Sequence, residues 1–158
     1  MIECLSLEDQ VKLIKKKQIK IIEIIDLYLD RIERFNNLLN AIVNLKDFDE
    51  IREISRVKDE SLDSDLPLNG IPFAIKDIFN VVGFPTTEGL NTNRDSLPAS
   101  NSIFVNRLQE KGGIIIGKTN TSELAIGSHT VNKIFGPTAN PYNYSLSAGG
   151  SSGGAAAA

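Results

Sequence analysis

Apolar residues recur every third or fourth position through the first part of the chain, the pattern of helices that bury one face. Leu7, Val11 and Ile14 set this spacing, and Ser6 stands ahead of Glu8 and Asp9 as an N-cap whose neighbouring acids suit the helix dipole. A longer helix is predicted from about Lys20 to Phe35. Ile21, Ile24, Ile25, Tyr28, Ile32 and Phe35 fall on one face of it, with Glu23, Asp30 and Glu33 elsewhere. The simplest reading is a surface helix laying an apolar stripe on the core. Asn36-Asn37 breaks the pattern, Ala41 to Leu45 reads as a short strand, and Asp47 to about Val57 as a further helix. Lys58 to Asn69, with Asp63, Asp65 and Pro67, reads as a polar connector.

Beyond it the pattern changes. Gly70 to Ile75 is a predicted strand that runs directly into Lys76-Asp77. Ser100 is placed to cap a helix over Ile103–Lys111, which Gly112-Gly113 would end. Ile114-Ile115-Ile116 is apolar on both faces, as in a parallel strand covered by helices. Helix, glycine turn and apolar strand together give an α/β class, with a mixed sheet covered by helices and no internal repeat. The division expected is an N-terminal helical segment over 1–65 and a loop-rich core over 66–158.

Composition supports that division. Lysine, glutamate and isoleucine concentrate in the first sixty residues, whereas all the glycines lie after Leu66, where chemistry is more often carried. The 41% apolar content is that of a globular chain. A net charge of −3 gives no general attraction to nucleic acid or anionic membrane, and no apolar run approaches the roughly 18 residues of a membrane span. Cys4 is the sole cysteine, so no internal disulfide can form and a reducing cytoplasm is the expected compartment. With His129 as the one histidine and no acidic cluster at ligand spacing, neither a metal nor a cofactor is expected.

Three stretches are candidates for chemistry. Gly112, Gly117, Lys118 and Thr119 match the phosphate-loop pattern G-x-x-x-x-G-K-[ST], but the four intervening positions read as the strand itself and a helix precedes Gly112. The order of elements is wrong for a nucleotide site, and Asn120, Ser122 and Glu123 can cap and orient a following helix, which accounts for much of the polarity without a ligand. Lys76 follows an apolar strand, where desolvation would lower its pKa and make it a usable base. The local sequence by itself favours a plainer reading, a lysine that snorkels to water or pairs with Asp77. Gly149-Gly150-Ser151-Ser152-Gly153-Gly154 precedes four alanines, which are strong helix formers. This reads as a glycine-framed turn at a helix N-terminus more readily than as a flexible linker.

In order along the chain, Gly70-Ile71-Pro72-Phe73-Ala74-Ile75-Lys76-Asp77, Gly117-Lys118-Thr119-Asn120 with Glu123, Phe135-Gly136-Pro137-Thr138 with Asn140-Pro141, and Gly149 through Gly154 resemble the amidase signature family. The resemblance covers about Leu66 to Ala158, and less specifically the helical segment before it. It implies a Ser–cis-Ser–Lys site, a nucleophile–base arrangement without histidine. Lys76 would be the general base and Ser151, held by a cis peptide, the proton relay. Gly149, Gly150, Gly153 and Gly154 would shape the supporting loop, with Ser152 secondary. The family's attacking serine lies in a second glycine-glycine-serine motif downstream, and no second such motif occurs in residues 1–158. The nucleophile is therefore expected outside this chain, whose end at Ala158 falls within a helix by its own pattern. An incomplete sequence, a truncated gene product or a chain cut by design would each give that end.

The implied activity is hydrolysis of a carboxylic acid amide to acid and ammonia through an acyl-serine. The substrate is a small amide, with no direct nucleic-acid contact and no membrane. The rival within the family is the glutamine-hydrolysing component of the aspartyl/glutamyl-tRNA amidotransferase, which feeds ammonia from glutamine to a partner subunit; Gly127-Ser128-His129-Thr130-Val131-Asn132 resembles both branches. From another class, residues 1–158 alone would be a non-catalytic remnant or a binding module.

Overall fold

The computed structural model describes residues 2–61 and 66–158. Helix α1 (Leu7–Lys15) starts as predicted, with the Ser6 hydroxyl accepting the Asp9 amide at 3.1 Å. Helix α2 (Ile21–Leu39) buries Ile21, Ile24, Ile25 and Leu29. Its first amides are capped from a distance: Ile21 N and Ile22 N donate to the Asp59 carboxylate at 2.7 and 3.0 Å. The expected break at Asn36-Asn37 does not occur there. Asn36 stays helical, and its side chain accepts the amides of Ala41 and Ile42 at 3.1 and 2.8 Å, while Asn40, left-handed at φ 51°, ends the helix. The asparagine signal is real, but it marks the residue that bonds the turn rather than the turn itself.

Strand β1 (Ile42–Leu45) leads into helix α3 (Phe48–Glu60), whose N-cap Asp47 accepts the amides of Asp49 and Glu50. The helix runs past Val57, so residues 58–60 of the predicted connector are helical; Asp63 and Asp65 lie outside the described residues. Strand β2 (Pro72–Lys76), helix α4 (Ile103–Glu110) and strand β3 (Ile114–Thr119) follow. Ser102, not Ser100, takes the N-cap position of α4, and its hydroxyl donates to Asn80 O at 2.9 Å.

The sheet has the order β1-β3-β2, with β1 antiparallel and β2 parallel to β3. One face meets α1, α2 and α3 through Ile71, Ile114 and Ile116, which cluster with Ile14, Ile21, Ile24, Ile25, Leu29 and Ile51. The other face holds Ile75 and Ile115 against Val81, Phe84 and Val105 of α4. Both faces of β3 are thus covered, as its apolar run predicts. Each fully buried Ile or Val in these clusters contributes about 1.5–3 kcal/mol by removal from water.

Two irregularities shape the site. β3 carries one extra residue opposite the Phe73/Ala74 step, a bulge that resets the alternation of its side chains. Gly117 sits where an added Cβ would meet Asn44 O at 2.6 Å, so only glycine lets β1 approach here. Beyond β3 the chain forms two small antiparallel pairs, β4 (Val131–Asn132) with β5 (Gly136–Pro137) and β6 (Ala139–Asn140) with β7 (Asn143–Ser147). It closes with α5 (Gly153–Ala157), whose Ala157 packs on Ala41 and Ile42. The glycine-serine turn does precede a helix.

Candidate active site

After the bulge, Ile75 lies beside Lys118 and Lys76 beside Thr119. Successive strand residues point to opposite faces, so the two lysines leave the sheet on opposite sides. Lys118 goes to the side lined by Ile75 and Val81 and is wholly buried, at 0% exposure. Its ammonium pairs with Asp77 at 2.9 Å and donates to Pro85 O at 3.1 Å and Thr86 Oγ1 at 3.3 Å. The Asp77 carboxylate in turn accepts the Thr87 hydroxyl and, at 3.3 Å, the Thr87 amide. Burial pulls the Lys118 pKa below the ordinary lysine value, and the Asp77 carboxylate pushes back. The phosphate-loop match is therefore a strand with a fully engaged lysine, and Lys118 has no donor left for a phosphate.

Asp77 being occupied, Lys76 does not pair with it. At the end of β2 its Nζ lies 2.8 Å from Ser151 Oγ and 2.7 Å from Ser152 Oγ. None of the ion pairs among the described residues involves Lys76, and burial alone lowers its pKa from the ordinary value. An amine with a lowered pKa beside two hydroxyls that can donate or accept is an arrangement for moving protons.

The loop that presents these hydroxyls is bound at every turn. The Gly150–Ser151 peptide bond is cis. Ser151 O accepts the Thr121 hydroxyl at 3.2 Å and the Ser122 amide at 3.4 Å. Thr130 N donates to Gly149 O at 2.8 Å, and Gly153 N donates to Thr130 Oγ1 at 2.7 Å. Below them Asn132 Nδ2 donates to Thr121 O at 2.8 Å and Asn120 Oδ1 at 2.7 Å, and Asn120 Nδ2 donates to Thr138 Oγ1 at 3.0 Å. Gly150, Gly153 and Gly154 leave no space for a side chain: a Cβ on Gly150 would meet the His129 carbonyl carbon at 2.7 Å, and one on Gly154 would strike the Asn120 amide. Gly149 has open space but a positive φ of 82°.

The residues that the family resemblance singles out meet in one place: Lys76, Ser151 and Ser152 in contact, with Gly149, Gly150, Gly153 and Gly154 framing them, whereas Lys118 of the phosphate-loop match lies on the other side of the sheet. Sequence reasoning misses the supporting roles of Thr121, Thr130 and Asn132. The sequence carries no signal for Thr130 or Asn132; for Thr121 it offers only the polar run Thr119-Asn120-Thr121-Ser122 at the end of an apolar strand, which is nonetheless buried. A separate apolar groove of about 540 Å³, walled by residues such as Ile32, Phe35, Leu39, Phe73 and Tyr144, touches neither Lys76 nor either serine. Among the described residues no group of three His, Cys, Asp or Glu side chains stands together to hold a metal, and no helix is long and apolar enough to cross a membrane.

A family model described as Amidase matches residues 23–158. An acylamidase of Rhodococcus erythropolis is 40% identical over 139 residues, covering 86% of this chain and 29% of that protein. A glutamyl-tRNA(Gln) amidotransferase subunit from Prochlorococcus marinus is 40% identical over 149 residues, covering 92% of this chain and 30% of that protein. Among solved structures, a bacterial aryl acylamidase of the amidase signature family has a TM-score of 0.87 at 33% identity, over 97% of this chain and 32% of that one. The chain spans less than a third of the length of the curated relatives it matches.

Proposed function

The chain belongs to the amidase signature family, and from that membership we propose that the whole protein hydrolyses a carboxylic acid amide to acid and ammonia by a Ser–cis-Ser–Lys mechanism. The observation that carries this reading is the 2.8 Å approach of Lys76 Nζ to Ser151 Oγ. Neutral Lys76 takes the Ser151 hydroxyl proton as Ser151 takes that of the attacking serine, which the family pattern puts downstream of the glycine-framed pair. The serine oxygen bonds to the amide carbon, the C–N bond breaks, and the proton returns along the same relay to the departing nitrogen. Water then releases the acid from the acyl-serine. Residues 1–158 supply base and relay in this scheme and, by themselves, are expected to turn over nothing. The reading calls for no cofactor and no nucleic-acid contact, and it puts the protein in the cytoplasm, consistent with the lone Cys4 thiol.

Alanine in place of Lys76 in the intact enzyme tests the assignment. Activity at neutral pH should fall by at least about 100-fold, the usual contribution of a positioned base, and full activity would end the proposal. The equal identity to an amidotransferase subunit supports a second reading, in which glutamine is the amide and ammonia passes to a partner subunit. Glutaminase activity that depends on a copurifying partner would select it.

A further inference from the structure

We infer that Thr130 is the positioning residue of the Lys76–Ser151 pair, clamping both ends of the loop that carries the two serines. The inference rests on the base-and-relay reading of Lys76 and Ser151. Thr130 is 1% exposed and forms three hydrogen bonds, each to a different part of the site. Its amide donates to Gly149 O at 2.8 Å, where the loop begins. Its hydroxyl oxygen accepts Gly153 N at 2.7 Å, where the loop becomes α5. Its carbonyl accepts Thr138 N at 3.0 Å, tying it to the strands behind. The span between the two loop contacts contains Ser151 and Ser152, and among the described residues no other side chain is bonded to the backbone at Gly153.

The fit around that contact is close. A Cβ on Gly153 would lie 2.6 Å from Thr130 Oγ1, so only glycine lets the amide reach the hydroxyl. On the far side of the loop, Ser151 O is held by Thr121 and Ser122. Ser151 is therefore suspended between anchors on both flanks, and its Oγ position relative to Lys76 depends on the Thr130 contact remaining closed. Release of one anchor moves the relay oxygen without removing any group that reacts, and a misplacement of about 1 Å costs roughly 100-fold in rate.

The test compares Thr130→Val, which keeps the shape and removes the acceptor, with Thr130→Ser, which keeps the acceptor and removes a methyl. Both are made in the intact enzyme, assayed on p-nitroacetanilide and on L-glutamine, with Lys76→Ala alongside. Lys76 is also titrated directly, by trace acetylation with acetic anhydride read by mass spectrometry across the pH range below the ordinary lysine pKa. Thr130→Val should lower kcat by roughly 100-fold with KM within about threefold, as expected for an interaction that acts on the reacting geometry. Its Lys76 should titrate closer to free lysine, because a loosened loop readmits water. Thr130→Ser should restore both readouts to near wild type.

Wild-type kcat and an unmoved Lys76 titration in folded Thr130→Val would overturn the inference, as would a loss in Thr130→Ser as large as that in Thr130→Val, because the acceptor that serine keeps would then not be what positions the loop. Should Thr130→Val not fold, Gly153→Ala opens the same contact from the loop side and should show the same kcat loss and titration shift. If Lys76→Ala keeps full activity, the base reading fails. If Lys76→Ala is dead while Thr130→Val is fully active, only the Thr130 assignment fails.

Discussion

Replacing Lys118 with methionine removes one charge from a pair in which both side chains are at 0% exposure. Methionine matches lysine in length and suits a buried position beside Ile75, so little volume changes. What changes is Asp77, which loses a partner at 2.9 Å and keeps only the Thr87 hydroxyl and a long 3.3 Å amide contact. Breaking a buried pair from one side costs about 3–5 kcal/mol, because a charge is stranded out of water. The surviving Thr87 bonds put the expected value near the lower end, about 3 kcal/mol. At a urea slope of about 2 kcal/mol per molar, the unfolding midpoint should fall by about 1.5 M. Residues 1–158 contain no tryptophan, so far-UV circular dichroism is the suitable probe of this region. Adding Asp77→Leu to Lys118→Met should recover at least about 1 kcal/mol, since removing both charges costs less than removing one. A Lys118→Met midpoint within about 0.3 M of wild type, or a double variant less stable than the single, would refute the buried pair.

Because burial lowers the Lys76 pKa, the neutral base is present at lower pH than for a free lysine. The sign follows directly: kcat/KM should rise with pH and level off at a pKa below the ordinary lysine value of about 10.4, and a limb at that value would count against Lys76 as base. Gly150→Ala forces a Cβ to 2.7 Å from the His129 carbonyl carbon, which should cost about 1–3 kcal/mol and lower the thermal midpoint. Magnesium-ATP should leave the thermal midpoint unchanged at any concentration tried, because the donors of Lys118 are all engaged; a saturable rise would restore the phosphate-loop reading.

The parts of this fold most legible in the sequence are those governed by local periodicity. The Ile21–Leu29 stripe, the triple-isoleucine strand and the glycine turn before the alanines each carry their own structural instruction. Boundaries are less legible wherever a side chain bonds a distant backbone. Asn36 looks like a helix breaker because its bonds to Ala41 and Ile42 exist only once the chain has turned. At the start of α2, Glu23 accepts the Lys20 amide locally, but the amides of Ile21 and Ile22 are bonded by Asp59, 38 residues away from Ile21, and nothing near Lys20 announces that contact. At the site, Lys76 and the two serines are legible through motif order. The Thr121, Thr130 and Asn132 supports are not, since threonine and asparagine in a loop-rich region ordinarily signal exposure. Their burial depends on contacts that span up to 30 residues of sequence.

The two lysines of this sheet show why the partner matters more than the residue type. Both are desolvated, and both therefore have lowered pKa values. Lys118 has a carboxylate at 2.9 Å that favours its charged form, so it is an ion held in a pair. Lys76 has hydroxyls at 2.8 and 2.7 Å and no carboxylate, so no opposite charge holds its proton in place. The sequence offers Asp77 to either, and as the immediate neighbour Lys76 looks like the natural claimant. The pleat decides otherwise: residues 76 and 77 point to opposite faces, and the extra residue in β3 sets Lys118 on the face that Asp77 occupies. Without that bulge the alternation of β3 would put residue 118 on the Lys76 side. Asp77 would then be buried without a cation, and two ammonium groups would crowd the serines. A base at residue 76 thus depends on a one-residue insertion in the neighbouring strand as much as on the lysine itself.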